Sequence, residues 1–185
     1  MAESDSLILS LEAALMDVKR LLGYELRLKP GQREAIDHLF NGRDVLGVLP
    51  TGYGKSLIYQ MFTLAKTKAT KKAMSVLIIC PLESIANDQI HEACSLGLSA
   101  GLLREANKNG SGNYPQLLFS SAEEIEECKG NLKEFPFQLL VVDESHTIET
   151  WTGGRCNILN YHKYFMQNII CHLFLTSFSF VNARG

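Results

Sequence analysis

Four short apolar runs, Val45–Leu49, Val76–Ile79, Leu117–Phe119 and Leu139–Val142, alternate with stretches of helical spacing near 55–66, 83–95 and 122–129. A run that is apolar at consecutive positions has no solvent side, so it is buried on both faces. Buried strands alternating with helices predict an α/β fold: a parallel sheet with helices on both faces. Ahead of the first run, Leu7, Leu11, Leu15, Val18 and Leu22 recur at helical spacing and Gly23 follows as a stop, which predicts an N-terminal helical segment over 1–22. A second helix is expected from Pro30 through Phe40, ending at the Asn41-Gly42 turn.

A chain of 185 residues with 46% apolar and 21% charged residues is expected to fold as one domain with its own core. The net charge of −2 carries no global footprint for nucleic acid, although a local groove can be basic on a neutral protein. Glu3 and Asp5 stand where a leader peptide carries Lys or Arg, and no apolar run reaches the length of a span, so no membrane association is expected. The cysteines (80, 94, 128, 156 and 171) form no CxxC pair. They predict reduced thiols, no zinc site and an intracellular protein of the nucleus or cytoplasm. The lysines of KTKATKK (66–72) read either as a solvated helix end or as contacts to a phosphate backbone.

The segment LPTGYGKS, Leu49–Ser56, follows the first apolar run and opens a helical pattern. Strand, glycine loop and helix in that order are what a phosphate-cradling loop requires. Gly52 and Gly54 allow backbone N–H groups to turn inward, and the helix N-terminus behind them offers a positive dipole end. Lys55 would neutralise the β- and γ-phosphates, and the Ser56 hydroxyl would reach a magnesium ion. The strict GxxxxGK[ST] pattern fails at its first position, which is Leu49.

The second chemical segment is VVDESH, Val141–His146, at the end of the run LLVV. Two adjacent carboxylates at a buried strand end are costly without a cation, and nucleotide-bound Mg²⁺ would supply one. Asp143 would hold the metal and Glu144 would polarise the attacking water.

With these two segments the chain resembles the RecQ-like DNA helicases of superfamily 2, over roughly residues 20–152. The resemblance implies a RecA-like P-loop domain over 23–152, with 153–185 a divergent or truncated tail. LPTGYGKSLIYQ is similar to the family's phosphate loop, and DESH to its DEAH-type box with Ser145 in place of alanine. It implies that ATP and Mg²⁺ are held by Thr51, Gly52, Tyr53, Gly54, Lys55, Ser56 and Leu57, that Ser56 and Asp143 face the metal, and that Lys55, Asp143 and Glu144 carry catalysis. LKPGQREAI (28–36) is similar to the family's adenine-reading motif, which implies that Gln32 bonds the adenine edge and that Lys29 occupies the Arg/Lys position. Leu28 replaces the family's Phe, leaving Tyr24 as the candidate stacking ring.

CPLESIANDQI (80–90) and LLFSSAEEI (117–125) are similar to the motifs Ia and Ib that touch a single strand; from spacing alone they are also ordinary strand-to-helix turns. His146 and Trp151 fall where the family couples DNA to ATP hydrolysis, Trp151 being also readable as a core side chain. Thr176 and Ser177 lie near the distance of the family's motif III. The partners implied are ATP and single-stranded or 3′-tailed DNA.

From 150 onward the chain holds no Asp or Glu and many aromatics, so this stretch is expected to be a frayed, spliced or truncated end. No second RecA-like lobe, with its arginine finger, is expected within 185 residues. Two functional readings follow: the ATPase half of a 3′–5′ helicase, or a non-catalytic fragment that binds nucleotide or nucleic acid. A P-loop kinase or transport ATPase is disfavoured by Gln32 and DESH.

Overall fold

The computed structural model describes residues 10–23, 27–81, 83–109, 114–121, 123–125, 137–144 and 171–178. In chain order the elements are α1 (Leu11–Leu22), α2 (Pro30–Phe40), β1 (Val45–Pro50), α3 (Ser56–Thr70), β2 (Val76–Ile79), α4 (Glu83–Ser95), β3 (Ala100–Leu102), α5 (Leu103–Asn109), β4 (Leu117–Ser120), β5 (Leu139–Val142) and β6 (Cys171–Phe178). The strands form one sheet in the order β1-β6-β5-β2-β4-β3, and every neighbouring pair is parallel. β2, β4 and β5 are buried at every position, so the sheet is covered on both faces there, as their unbroken apolar runs predict. The architecture is the RecA-like α/β fold.

Local chemistry accounts for the helix ends. Ser10 caps α1 by accepting from the Ala13 N–H, and Gly23 closes it at φ +70°, sending its N–H to the Lys19 carbonyl. Leu11, Ala14, Leu15 and Val18 form the buried face of α1, which packs on α3. Pro30 opens α2 at the position where its missing N–H costs nothing. α3 is buried throughout Ile58–Ala65, with α1 and α2 both against it. Tyr59 of α3 meets Phe119 of β4 edge-on, ring centroids 6.5 Å apart. Phe119 is fully buried, so Phe119→Ala is expected to lower the unfolding free energy by about 3–5 kcal/mol. A lower urea midpoint at unchanged slope would show it. An unchanged midpoint would contradict the packing described.

The lysine-rich stretch has a structural use at one position. Lys66 donates to the Phe40 carbonyl at 2.8 Å and stands 4.5 Å above the Phe40 ring, tying the ends of α2 and α3 together. Lys68, Lys71 and Lys72 are exposed.

Three features differ from the sequence expectation. β1, expected to be buried on both faces, is an edge strand of the sheet and leaves Leu46 and Val48 exposed on one face. β3 and α5 are additional, formed by the short mixed stretch AGL and the turn of helix after it. The sheet also draws on chain beyond residue 152: Cys171–Phe178, expected in a divergent tail, is a strand between β1 and β5. Its apolar residues Leu173 and Leu175 are wholly buried, and hydrogen bonding on both edges outweighs the change in composition around it. Of the helical stretch expected near 122–129, only 123–125 are described, and these are helical. Among the described residues no helix is long and apolar enough to cross a membrane.

Candidate nucleotide site

In a parallel sheet the loops that follow the strands gather at one end, where such folds bind ligands. Here that end carries the loop after β1 and the acidic segment after β5, with β6 between the two strands. The turn begins with the Tyr53 N–H on the Pro50 carbonyl. Gly52 and Gly54 have φ of +73° and +86°, a region that side-chain-bearing residues avoid. Gly54 is constrained twice, since a Cβ there would lie 2.8 Å from the Gln32 amide nitrogen. Lys55 then takes helical angles and α3 starts at Ser56, so the N-terminus of a 15-residue helix faces the loop.

The loop and the acidic segment meet directly. The Lys55 ammonium lies 2.6 Å from the Glu144 carboxylate. Glu144 has φ +51°, a sparsely populated conformation for a residue with a side chain. Asp143 is only 5% exposed. Its Oδ1 accepts from the Glu144 N–H and its Oδ2 from the Gln89 amide at 3.1 Å. Gln89 is anchored in turn by the Tyr59 hydroxyl, which donates to its Oε1 at 3.0 Å. Burial holds the Tyr59 hydroxyl well above its usual range, so it remains a neutral donor. The neighbouring Cys80 thiol is pushed up to about 12, chiefly by burial and further by the Asp143 charge.

The start of α2 is fastened to the same loop. Gln32 is buried, donates through Nε2 to the carbonyls of Tyr53 (3.0 Å) and Gly54 (2.9 Å), and accepts at Oε1 from the Lys29 N–H (2.8 Å). Lys29 donates from its ammonium to the Tyr53 carbonyl at 2.9 Å and stands 4.6 Å from the centre of the Tyr53 ring. The Tyr53 hydroxyl accepts from the Gly31 N–H. Lys29, Gln32, Thr51, Gly52, Tyr53, Gly54, Lys55, Ser56, Leu57, Asp143 and Glu144 are thus on three elements that converge. The Gln32 amide is already satisfied by the loop, so reading an adenine edge through two bonds requires one Nε2 bond to be exchanged. Thr176 and Ser177 pair in register with Val48 and Leu49, on the strand between the two chemical segments. His146, Trp151 and Tyr24 lie outside the described residues.

A family model, DEAD/DEAH box helicase, matches residues 29–176, most of the chain. The chain belongs to the DEAD/DEAH box helicase family. Within it the resemblance is to RecQ-type proteins. The chain is 32% identical over 164 residues to the ATP-dependent DNA helicase RecQ of Haemophilus influenzae, covering 79% of this chain and 24% of that one. It is 28% identical over 153 residues to the ATP-dependent helicase SGS1 of Saccharomyces cerevisiae, covering 74% and 10%. It is 31% identical over 133 residues to the probable ATP-dependent DNA helicase RecS of Bacillus subtilis, covering 66% and 26%. The chain therefore spans about a quarter or less of the length of these relatives. The helicase match reaches residue 176, inside β6.

The residues of this helicase domain fit a magnesium ion. The Ser56 hydroxyl and the Asp143 carboxylate are hard oxygen donors of the kind Mg²⁺ takes. Burial raises the Asp143 carboxyl above the usual carboxylate range, and the Glu144 charge adds to it; the Gln89 donor and the Lys55 charge oppose. A buried anion in that condition is one that a nearby cation stabilises.

Gln89 and Glu92 are site residues that sequence reasoning did not single out. They stand three apart on α4, so they share a face. Gln89 lies within the segment read as a strand-contacting motif, and its spacing to Glu92 was the available signal.

Proposed function

We propose that this chain is the ATP-binding half of a RecQ-like 3′–5′ DNA helicase, binding ATP with Mg²⁺ and single-stranded DNA and working with a second RecA-like domain. The observation that carries the reading is the contact between Lys55 and Glu144, which joins a glycine loop after one strand to a paired carboxylate after another. The loop N–H groups and the α3 N-terminus would bind the phosphates, and Lys55 would turn from Glu144 to the β- and γ-oxygens. Glu144, released from that ion pair, would accept a proton from the attacking water. Ser56 and Asp143 would hold Mg²⁺, which offsets charge developing on the transferred phosphoryl group. Gln32 would select adenine, since an amide donates and accepts in the plane of that edge. His146 and Trp151 are proposed to couple the DNA strand to the nucleotide site, the ring by stacking on bases.

Adenine selection gives a direct test. Calorimetric titration with ATP and with GTP, each with Mg²⁺, is expected to show ATP bound more tightly. Gln32→Ala is expected to narrow the difference by about 1–3 kcal/mol. Equal affinity for the two nucleotides in the unaltered chain would overturn the assignment of Gln32.

A further inference from the structure

We infer that Glu92, on α4, is a positioning residue for the metal side of the phosphate loop and makes nucleotide binding depend on the metal. The inference rests on the proposed ATP–Mg²⁺ site and concerns a residue that neither chemical segment contains. Glu92 Oε2 accepts from the Ser56 hydroxyl at 3.1 Å and from the Gln60 amide at 3.3 Å. A serine hydroxyl has one proton and two lone pairs. To offer a lone pair to a cation it must send the proton elsewhere, and Glu92 receives it. Asp143 has both oxygens engaged by other donors, Glu144 N–H and Gln89 Nε2. Glu92 thus sets which way Ser56 faces.

The support beneath Glu92 is built into the core. Gln60 is fully buried, and its Oε1 has no hydrogen-bond partner among the described residues while its Nε2 goes to Glu92. A buried amide with one end unsatisfied is uncommon. Here its satisfied end holds a carboxylate against the loop serine. That carboxylate also acts at longer range. It attracts the cation that Ser56 would hold, and it repels a triphosphate arriving without one. Metal and nucleotide therefore favour each other more strongly with Glu92 present, a coupling that is reciprocal.

The experiment compares ATP affinity in excess Mg²⁺ with affinity in excess EDTA, by calorimetry on the 185-residue chain. Mn²⁺ binding to the ATP complex is followed in parallel by electron paramagnetic resonance. Glu92→Gln, at an exposed position, is expected to leave the thermal midpoint unchanged. It should tighten metal-free ATP binding and weaken Mn²⁺ binding, each by roughly threefold to tenfold. Glu92→Asp keeps the charge and is expected to keep most of the repulsion toward metal-free ATP. An unchanged ratio of Mg²⁺-bound to metal-free affinity in Glu92→Gln would overturn the inference while the nucleotide site stands. Absence of ATP binding by the unaltered chain, or binding that Lys55→Ala leaves intact, would overturn the site itself and this inference with it.

Discussion

Lys55→Ala is expected to weaken ATP binding by a factor on the order of a hundred or more, taking it out of calorimetric range. Two effects add. The variant loses a charge-assisted contact to the β- and γ-phosphates, and such bonds contribute about 1.5–3 kcal/mol each. It also leaves Asp143 and Glu144 without the ammonium that lies 2.6 Å from Glu144, so the site turns more negative toward an anionic ligand. Because that pair is only partly buried, the same substitution is expected to change the unfolding midpoint little. Retention of ATP affinity within threefold of the unaltered chain would contradict the placement of the phosphates.

Glu144→Gln is expected to separate binding from chemistry. The amide keeps the size of the side chain and loses the charge and the proton affinity. Single-turnover hydrolysis of labelled ATP is expected to fall by about 10²–10⁴-fold, the range for a lost general base. ATP affinity should hold or rise, since Lys55 no longer has the Glu144 charge to leave before it meets phosphate. A variant that loses ATP binding would show that Glu144 builds the pocket and does not serve the water.

What the sequence makes legible here is what backbone geometry encodes locally. The unbroken apolar runs at Val76, Leu117 and Leu139 became β2, β4 and β5 because residues apolar at every position need cover on both faces, whereas the run at Val45 became the edge strand β1, which leaves Leu46 and Val48 exposed. Gly52 and Gly54 were readable because positive φ is a glycine property, and the loop does use it. β3 was not readable: Ala100, Gly101 and Leu102 carry little strand signal, and pairing with β4 decides their state. β6 lies in a stretch of divergent composition, yet its strand is fixed by partners more than 25 residues away in sequence at its nearer edge and more than 120 at the other. Local periodicity holds no record of such pairing. The same limit applies to the site. Lys55, Asp143 and Glu144 sit in short motifs, whereas Tyr59, Gln89 and Glu92 matter only because α4 lies across the start of α3. Gln32 stands out in the sequence only through the motif's resemblance, whereas its amide's hold on the loop is visible only in the fold.

Placement of the ATP phosphates is tested most directly with an acyl-phosphate derivative of ATP, whose terminal phosphate carries a group that transfers to a nearby lysine amine. The chain would be labelled in Mg²⁺ and the modified residue identified by peptide mass spectrometry. Modification is expected at Lys55, suppressed by excess ATP and less by excess GTP, with Lys68, Lys71 and Lys72 marked only in the nonspecific background. Labelling that spares Lys55, or that excess ATP does not reduce, would contradict the claim that this loop receives the phosphates of ATP.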